Sequence, residues 1–499
     1  MSTKRQKHII LKDAFIYSAA NWVSDAFGIM VSIFSKRFLG VIGAGRWTVL
    51  SVIQSYALYG SLGIKNAVYR EIPQHIGAKQ FERAKQTQNA AFSYVLISGV
   101  AGALLIWFLS VTFFKDRSLK WGMMVIGFLV LLTQIYNLLL TLLRAHKRFS
   151  VLGKVIVLNT ILILILALAG AYFYNVVGYA IGLILASSIS LFWGKKWGQI
   201  SFQLSFKWKD IGSLVAIGLP MVAASFLFRT FLNMDTILIG KMLGAQSLGL
   251  YTIGLMTVQQ ISAFPKFFNT ALFPYVQEKF GETKVVKDIR SLVIKPTEVY
   301  SRILPFFLGL SIFFVEGLTH YVLPQFRGGL EAMKILVFGY YFVILSEMAS
   351  TLLFTINKQN LLVILYSAFV GVITLLNYVM ISSGFGIQGV AVGSAISYFL
   401  FFLVLSGFAW KFILGKKEIV HFYRQIACYY LYFLFNVGWI DRLFNFRNVL
   451  ISVLLKSGVL SLISIPVFVI LERREKIISL CFDIVKSKFK PHGVEIEPV

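Results

Sequence analysis

Cysteine and acidic residues are scarce in this chain. Its 499 residues contain two cysteines, Cys428 and Cys481, so the sequence supports neither a disulfide framework nor a cysteine-based metal site. Charged residues make up 14% of the chain, whereas a soluble domain carries roughly a quarter. Lysine and arginine number 48 against 21 aspartates and glutamates, which gives a formal net charge of +27. So small a share of charge argues against a soluble protein.

Catalytic signatures are also missing from the sequence. There is no GxxxxGKS/T phosphate-binding loop and no HExxH zinc motif, so ATP hydrolysis by that route and metalloprotease chemistry are not expected. The six histidines are scattered along the chain. We therefore predict that the protein is not an enzyme and that it uses no cofactor and no metal site.

Long hydrophobic runs are what the sequence has instead. Hydrophobic residues make up 58% of the chain, and ILILILALAGAYFY at 161–174 is one of many apolar stretches. A helix of about twenty such residues crosses the hydrocarbon core of a bilayer. We predict an all-α polytopic membrane protein with about fourteen transmembrane helices. They are expected at about 14–35, 45–64, 90–113, 121–143, 152–173, 177–193, 212–238, 247–273, 300–322, 333–356, 361–382, 387–410, 425–440 and 449–470.

The distribution of lysine and arginine predicts the topology. Both residues concentrate at the two termini and in alternate connections between the predicted helices, as they do in cytoplasmic segments. We therefore expect a protein of the cytoplasmic membrane with both termini in the cytoplasm. Its basic segments are expected to contact anionic lipid rather than nucleic acid. Lys36, Arg37 and Arg46 are exceptions, because this topology places them on the outer side.

A glycine pattern occurs twice, 204 residues apart. Residues 39–47 read LGVIGAGRW and residues 243–251 read LGAQSLGLY, so each copy is Leu-Gly, four spacers, Gly, one spacer and an aromatic residue. The number of predicted helices between the copies is even, which predicts two parallel repeats of six helices, over 1–204 and 205–415. The alternative is that two unrelated glycine turns share a short pattern.

Two further segments follow the predicted repeats. Residues 416–471 are expected to form two additional transmembrane helices, and residues 472–499 a basic amphipathic tail on the inner leaflet. The alternative for 472–499 is a short disordered tail. Lys456 in the last helix is expected to extend its amine to the membrane interface.

Five charged residues inside predicted helices are candidates for function, because a charge costs at least about 2.5–3.5 kcal/mol at the bilayer centre. Asp25 and Arg229 occupy matching positions in the two repeats with opposite signs, which suggests a pair or a switchable contact. Arg229 and Lys266 are cations suited to a phosphate or carboxylate, so these two and Asp25 are the candidate substrate-binding residues. Asp235 and Glu347 are candidates for coupling or gating. The alternative role is an internal salt bridge that holds helices together.

Three stretches carry a family resemblance. Residues 36–72, which include the first glycine pattern, resemble the first-repeat signature of the polysaccharide transporter family. Residues 218–254, GLPMVAASFLFRTFLNMDTILIGKMLGAQSLGLYTIG, are similar to its signature for helices 7 and 8, and GFGIQGVAVGSAISY at 384–398 to its twelfth helix. That family includes O-antigen and capsule lipid-linked oligosaccharide flippases of the multidrug/oligosaccharidyl-lipid/polysaccharide exporter superfamily, which also holds the MATE transporters.

The resemblance implies a fold and a function. The fold would be two six-helix lobes in a V shape around a central cavity, where Arg229 and Lys266 could match the cations of the family. By alternating access the protein would carry an oligosaccharide linked to undecaprenyl pyrophosphate to the outer leaflet, for cell-surface polysaccharide biosynthesis. A polysaccharide polymerase and glycosyltransferases are candidate partners. The alternative functions are a cation-coupled multidrug or small-molecule exporter of the same superfamily and, third, a membrane enzyme for cell-wall sugars.

Overall fold

The computed structural model describes the backbone of residues 3–113 and 117–475. It describes side chains over 19–112 and 119–467, apart from scattered positions between 217 and 278, Lys266 among them. About 91% of the chain is helical, and the described part contains no strand. The prediction of an all-α membrane protein is confirmed. Most of the predicted basic tail lies outside the described residues.

The described part of the chain forms fourteen α-helices joined by short turns. They are α1 Thr3–Ala57, α2 Ile64–Gly77, α3 Phe81–Phe113, α4 Arg117–Ala145, α5 Phe149–Leu162, α6 Leu168–Gly198, α7 Trp208–Leu238, α8 Gly244–Thr283, α9 Arg290–Tyr321, α10 Leu330–Thr355, α11 Gln359–Ser382, α12 Gly386–Trp410, α13 Lys416–Leu443 and α14 Val449–Glu475. Short π-helical segments join α5 to α6 and α7 to α8, and a 3₁₀ turn, Pro324–Gly329, joins α9 to α10.

Three predicted loops are kinks inside continuous helical segments. The first two predicted helices are one helix, α1, broken at Gly40 (φ 69°, ψ −178°). The fifth and sixth meet within α6 at Tyr174 and Asn175, where Asn175 has a positive φ of 50°. The seventh and eighth meet at Gly244. The predicted boundaries are wrong at these places because one residue with non-helical dihedrals turns the chain, so no loop is needed.

Ten described helical segments are long and apolar enough to cross a membrane. Two of them, Ala19–Ser61 with 43 residues and Phe149–Gly198 with 50, are about twice as long as one crossing requires. Each contains one of the kinks, so each has room for two crossings. These lengths confirm a multi-pass membrane protein, whereas the number of fourteen crossings stays a prediction.

Apolar side chains pack into three clusters that follow the chain order. The largest contains residues of 224–460 together with Ala44. The other two contain residues of 39–215. The division falls within α7, because Ile211 packs with the first part of the chain and Phe231 with the second. Helix α7 therefore connects two separately packed bodies of helices.

A buried ion network attaches α13 and α14 to α9 and α10. The amine of Lys456 is 2.6 Å from a carboxylate oxygen of Asp441 and 3.0 Å from one of Glu316, and its side chain is 1% exposed. Lys334 extends the network to the other oxygen of Asp441 at 2.8 Å. The prediction that Lys456 extends to the interface is wrong, because two carboxylates on neighbouring helices hold its amine inside the protein.

Candidate substrate chamber and its two closures

The glycine pattern repeats in the structure as well as in the sequence. Gly40 has φ 69° and ψ −178°, and Gly244, its equivalent 204 residues later, has φ 82° and ψ 179°. Only glycine adopts this region of backbone dihedrals without strong steric strain. Each copy therefore places a glycine kink at the same point, where one helix ends and the next begins.

The two copies pack against each other through the second glycine of the pattern. A Cβ on Gly45 would overlap the carbonyl oxygen of Ala245, and a Cβ on Gly249 would overlap that of Val41. Val41 and Ala245 are themselves equivalent positions of the two copies. This reciprocal contact between α1 and α8 makes a pseudo-twofold junction, which we call the glycine closure.

A second junction between the two parts of the chain lies just beyond the C-terminal end of α1. Gly63, which has φ +76°, and Gly218 in α7 approach so closely that a Cβ on either would overlap the backbone of the other. From Gly45 to Gly63 the helical chain advances roughly 27 Å. The two junctions therefore lie at opposite ends of the interface.

Tyrosines of α1 and the turn after it reinforce the second junction. The hydroxyl of Tyr56 donates to Thr230 Oγ1 at 3.2 Å, and that of Tyr59 donates to the carbonyl oxygen of Ser225 at 3.2 Å. The ring of Phe226 lies edge-on between them, with centroids 5.5 Å from Tyr56 and 5.4 Å from Tyr59. We call the junction of these residues with Gly63 and Gly218 the tyrosine closure. The parts of the chain thus touch at both ends of their interface.

Arg229 lies beside the tyrosine closure, on the same helix as Thr230. Its side chain is exposed, and its positive charge acts on the hydroxyls of Tyr59 and Tyr340. Among the described residues no carboxylate forms an ion pair with it. A guanidinium in this position keeps its donors available for an anion between the two closures.

Asp25 does not pair with Arg229 in this state. Its side chain is exposed on α1, and no ion pair of Asp25 is present in the part of the chain that the structure describes. Ser24, the residue before Asp25, connects α1 to α5, because its hydroxyl forms a hydrogen bond of 2.7 Å with that of Thr160. A contact between Asp25 and Arg229 in another state stays a prediction.

The two candidate coupling residues have different surroundings. Asp235 is fully buried and accepts hydrogen bonds from the Tyr251 hydroxyl at 2.8 Å and from the backbone N–H of Thr236 at 2.6 Å. Tyr251 is the aromatic residue of the second glycine pattern, so this carboxylate helps to orient the kink between α7 and α8. Its position gives Asp235 a structural task beside any role in coupling.

Glu347, by contrast, lines a cavity of about 250 Å³ within the second part of the chain. Its carboxylate accepts a hydrogen bond from the side-chain amide of Asn269, whose oxygen accepts one from the Tyr300 hydroxyl at 3.0 Å. The cavity begins beside Phe228, the residue before Arg229. Its lining consists of Phe228, Asn269, Ser346, Glu347, Ser350, Thr351, Phe354 and Tyr366.

Sequence reasoning named part of this arrangement and missed part of it. It named Arg229 and Glu347, whereas the side chain of Lys266 lies outside the described residues. It missed Tyr56 and Tyr59 of the tyrosine closure and Asn269 beside Glu347. The sequence feature that could have identified Asn269 as a site residue is its position three residues after Lys266, because residues at this spacing share one face of a helix.

Comparison with known proteins gives a family and a fold. The sequence model of a family described as "Polysaccharide biosynthesis protein" matches residues 47–314. No curated protein matches this sequence.

Solved structures of similar fold are membrane transporters. The lipid II flippase MurJ in an inward closed conformation matches with a TM-score of 0.70 and 14% identity, over 92% of this chain and 99% of that one. An inward-facing multidrug resistance MATE transporter of the MOP superfamily matches with a TM-score of 0.65 and 15% identity, over 80% and 96% of the two chains. An outward-facing MATE transporter gives 0.58 at 15% identity, over 81% and 95%. At these identities the likeness is one of fold.

Proposed function

This chain belongs to the polysaccharide biosynthesis protein family, and we propose that it is a flippase for a lipid-linked oligosaccharide. The substrate would be carried on undecaprenyl pyrophosphate across the cytoplasmic membrane for cell-surface polysaccharide biosynthesis. The family match supports the role in polysaccharide synthesis. A fold similar to that of a lipid II flippase supports the class of substrate.

The observation that carries the proposal is the exposed guanidinium of Arg229, which forms no ion pair with any described carboxylate. Within a membrane protein such a charge is expensive unless an anion or water meets it. A diphosphate accepts several hydrogen bonds from a guanidinium at once, which a neutral drug cannot do. Lys266, about four turns after Tyr251 on α8, would add a second cation. Asp25 would pair with Arg229 in one state and release it in another.

Two closures at opposite ends of one interface support alternating access. We treat residues 1–204 and 205–415 as two lobes. With both termini in the cytoplasm, the tyrosine closure lies on the inner side and the glycine closure on the outer side. Opening the first would admit the headgroup to Arg229, and opening the second would release it, while the lipid chain stays in the bilayer. Anionic lipids, a polymerase and glycosyltransferases are the partners this role implies.

A cation-coupled exporter of small molecules is the second candidate function. The cavity at Glu347 favours it, because a carboxylate among hydroxyl and amide oxygens is suited to a proton or a hard cation. Asp235 would be the further acidic residue in that mechanism. The MATE transporters of similar fold fit this candidate too. A coupling role for Glu347 is compatible with either substrate.

The test uses a strain without the gene that carries wild type, Arg229→Ala, Arg229→Lys or the control Lys154→Ala. Lys154 is an exposed cation of α5. Mass spectrometry of extracted lipids should show undecaprenyl-pyrophosphate oligosaccharide accumulating with Arg229→Ala, while surface polymer is lost. Arg229→Lys keeps the charge and should retain partial export, and Lys154→Ala should match wild type.

Normal polymer with Arg229→Ala at equal protein level contradicts the role of Arg229. An unchanged lipid pool in the deletion strain, with new sensitivity to toxic cations, supports the exporter instead.

A further inference from the structure

The three outer cations that break the topology rule have different surroundings. The amine of Lys36 turns back onto its own helix, where it donates to the carbonyl and hydroxyl oxygens of Ser32 at 3.4 and 3.2 Å. Arg46 is partly buried. Arg37 is exposed and makes no ion pair within the described residues. Internal packing thus accommodates two of the three, and Arg37 needs another explanation.

Arg37 has a counterpart in the second repeat. It lies three residues before the kink glycine Gly40, and Lys241 lies three residues before the kink glycine Gly244. Lys241 is also exposed. Because the two kinks share one backbone geometry and meet at the glycine closure, the pseudo-twofold axis relates these two cations. The repeat therefore places one positive charge on each side of the closure.

A third cation, Arg327, lies across the same closure. The 3₁₀ turn between α9 and α10 contacts both kinked helices: the Gln325 amide donates to the carbonyl oxygen of Arg37 at 3.5 Å, and Gly329 packs on the backbone of Leu250. Arg327 lies between these two contacts in the turn and is exposed. It therefore sits above the junction of α1 with α8.

No carboxylate neutralises these three cations in the part of the chain that the structure describes. Glu331, the acid nearest to Arg327 in sequence, is 3.2 Å from the amine of Lys334. The guanidinium of Arg327 donates to Nδ1 of His320 at 2.6 Å, which leaves most of its donors available. An anion bound at this closure would accept hydrogen bonds from these cations, none of which has a carboxylate partner among the described residues.

We propose that Arg37, Lys241 and Arg327 form a second anion-binding site, on the outer side of the glycine closure, for the diphosphate of the departing substrate. This inference rests on the proposed function. Arg229 lies fifteen residues before Gly244, roughly 22 Å along the helix, so one diphosphate cannot reach both sites. The outer site would take the headgroup after the glycine closure opens and would favour its exit over its return.

The experiment follows protection of a single cysteine at the glycine closure. Ile42, which is 49% exposed between the two pattern glycines, is replaced by cysteine in a Cys428→Ser, Cys481→Ser background. The protein is reconstituted in phosphatidylcholine vesicles and reacted with a membrane-impermeant maleimide. Inorganic pyrophosphate is the probe and should slow labelling. In the combined Arg37→Gln, Lys241→Gln, Arg327→Gln variant, half-protection should need about tenfold more pyrophosphate or more.

Two control variants separate this site from others. Arg229→Gln should leave the protection unchanged, and so should Lys85→Gln, Lys154→Gln, Lys209→Gln, which removes three exposed cations elsewhere. Unchanged protection in the outer triple variant, with its normal elution and melting, would overturn the proposal. Equal protection by phosphatidylglycerol vesicles without pyrophosphate would assign the site to a lipid headgroup and overturn the substrate assignment. Failure of the flippase itself shows separately, as an unchanged lipid pool in the deletion strain.

Discussion

Gly249 of α8 lies against the carbonyl oxygen of Val41 in α1, with no space for a Cβ between them. The equivalent contact of Gly45 with Ala245 repeats this arrangement about a pseudo-twofold axis. Two helices can approach at backbone distance only where both present such small residues. Any side chain at Gly45 or Gly249 would therefore keep α1 and α8 apart at the glycine closure.

Gly249→Val should prevent the glycine closure from forming. The added side chain overlaps the backbone of α1, so α1 and α8 must separate. We expect surface-polysaccharide export to fall at least tenfold, and a cysteine at Ile42 to react faster with an impermeant maleimide. The control is Gly281→Val on the same helix, where a Cβ would meet nothing within 4 Å. Wild-type export with Gly249→Val would show that the closure is not required.

Tyr251→Phe should destabilise the fold around the second kink. It removes the hydroxyl that donates to the buried carboxylate of Asp235 at 2.8 Å. Loss of one donor to a buried acceptor costs about 1–3 kcal/mol. The measurement is thermal unfolding in detergent, with Tyr378→Phe as control because Tyr378 is 53% exposed. Equal melting of the two variants would mean that the hydrogen bond contributes nothing measurable.

Lys456→Met should loosen α13 and α14 from the second part of the chain. It leaves Asp441 and Glu316 as neighbouring carboxylates without their shared amine. Removing one partner of a buried ion network costs about 3 kcal/mol. The triple variant Lys456→Met, Glu316→Gln, Asp441→Asn should recover much of the stability, because no unpaired charge remains in it. Limited proteolysis of the α12–α13 connection reports the change, and no gain in the triple variant would contradict the network.

These elements show what the sequence could predict. The pattern around Gly40 and Gly244 predicted a duplicated unit, and hydrophobic length predicted the helices. The kinks were predicted as loops because no hydropathy profile distinguishes a loop from one glycine with unusual dihedrals. The prediction that Lys456 extends to the membrane interface was wrong because one of its two partners, Glu316, lies on a helix distant in sequence. Arg229 was found because a charge inside an apolar stretch is visible in sequence. Only the packed structure shows that no described carboxylate pairs with it.

A pH dependence is expected at the connection between the two parts of the chain. Burial and the positive charge of Arg148 lower the pKa of His146 below its ordinary value of 6.5. His146 forms a hydrogen bond with Gln88. The side-chain amide of Gln88 donates to the carbonyl oxygen of Ser201, which lies in the connection between α6 and α7. A histidine with a lowered folded pKa contributes stability above pH 6.5, which is lost as the pH falls and the unfolded state binds more protons.

The test compares wild type with His146→Gln between pH 7.5 and pH 5.5. The melting temperature of wild type should fall more over this range than that of His146→Gln, which keeps a hydrogen-bonding side chain but does not titrate. His421→Gln, at an exposed histidine, is the control and should behave as wild type. Parallel curves for wild type and His146→Gln would exclude the effect.

Glu347→Gln should separate coupling from substrate binding. The carboxylate faces a cavity of about 250 Å³ and is held by Asn269, whereas Arg229 carries the proposed headgroup contact outside that cavity. Glutamine keeps the size of the side chain and removes the charge that a proton or cation would neutralise. Transport driven by an imposed ion gradient should fall at least tenfold, while exchange of labelled for unlabelled substrate at equilibrium stays near wild type.

The control is Ser350→Ala, which changes the shape of the same cavity without changing its charge. Equal loss of both transport modes with Glu347→Gln would place Glu347 in the substrate path, and no loss of either would remove it from the mechanism.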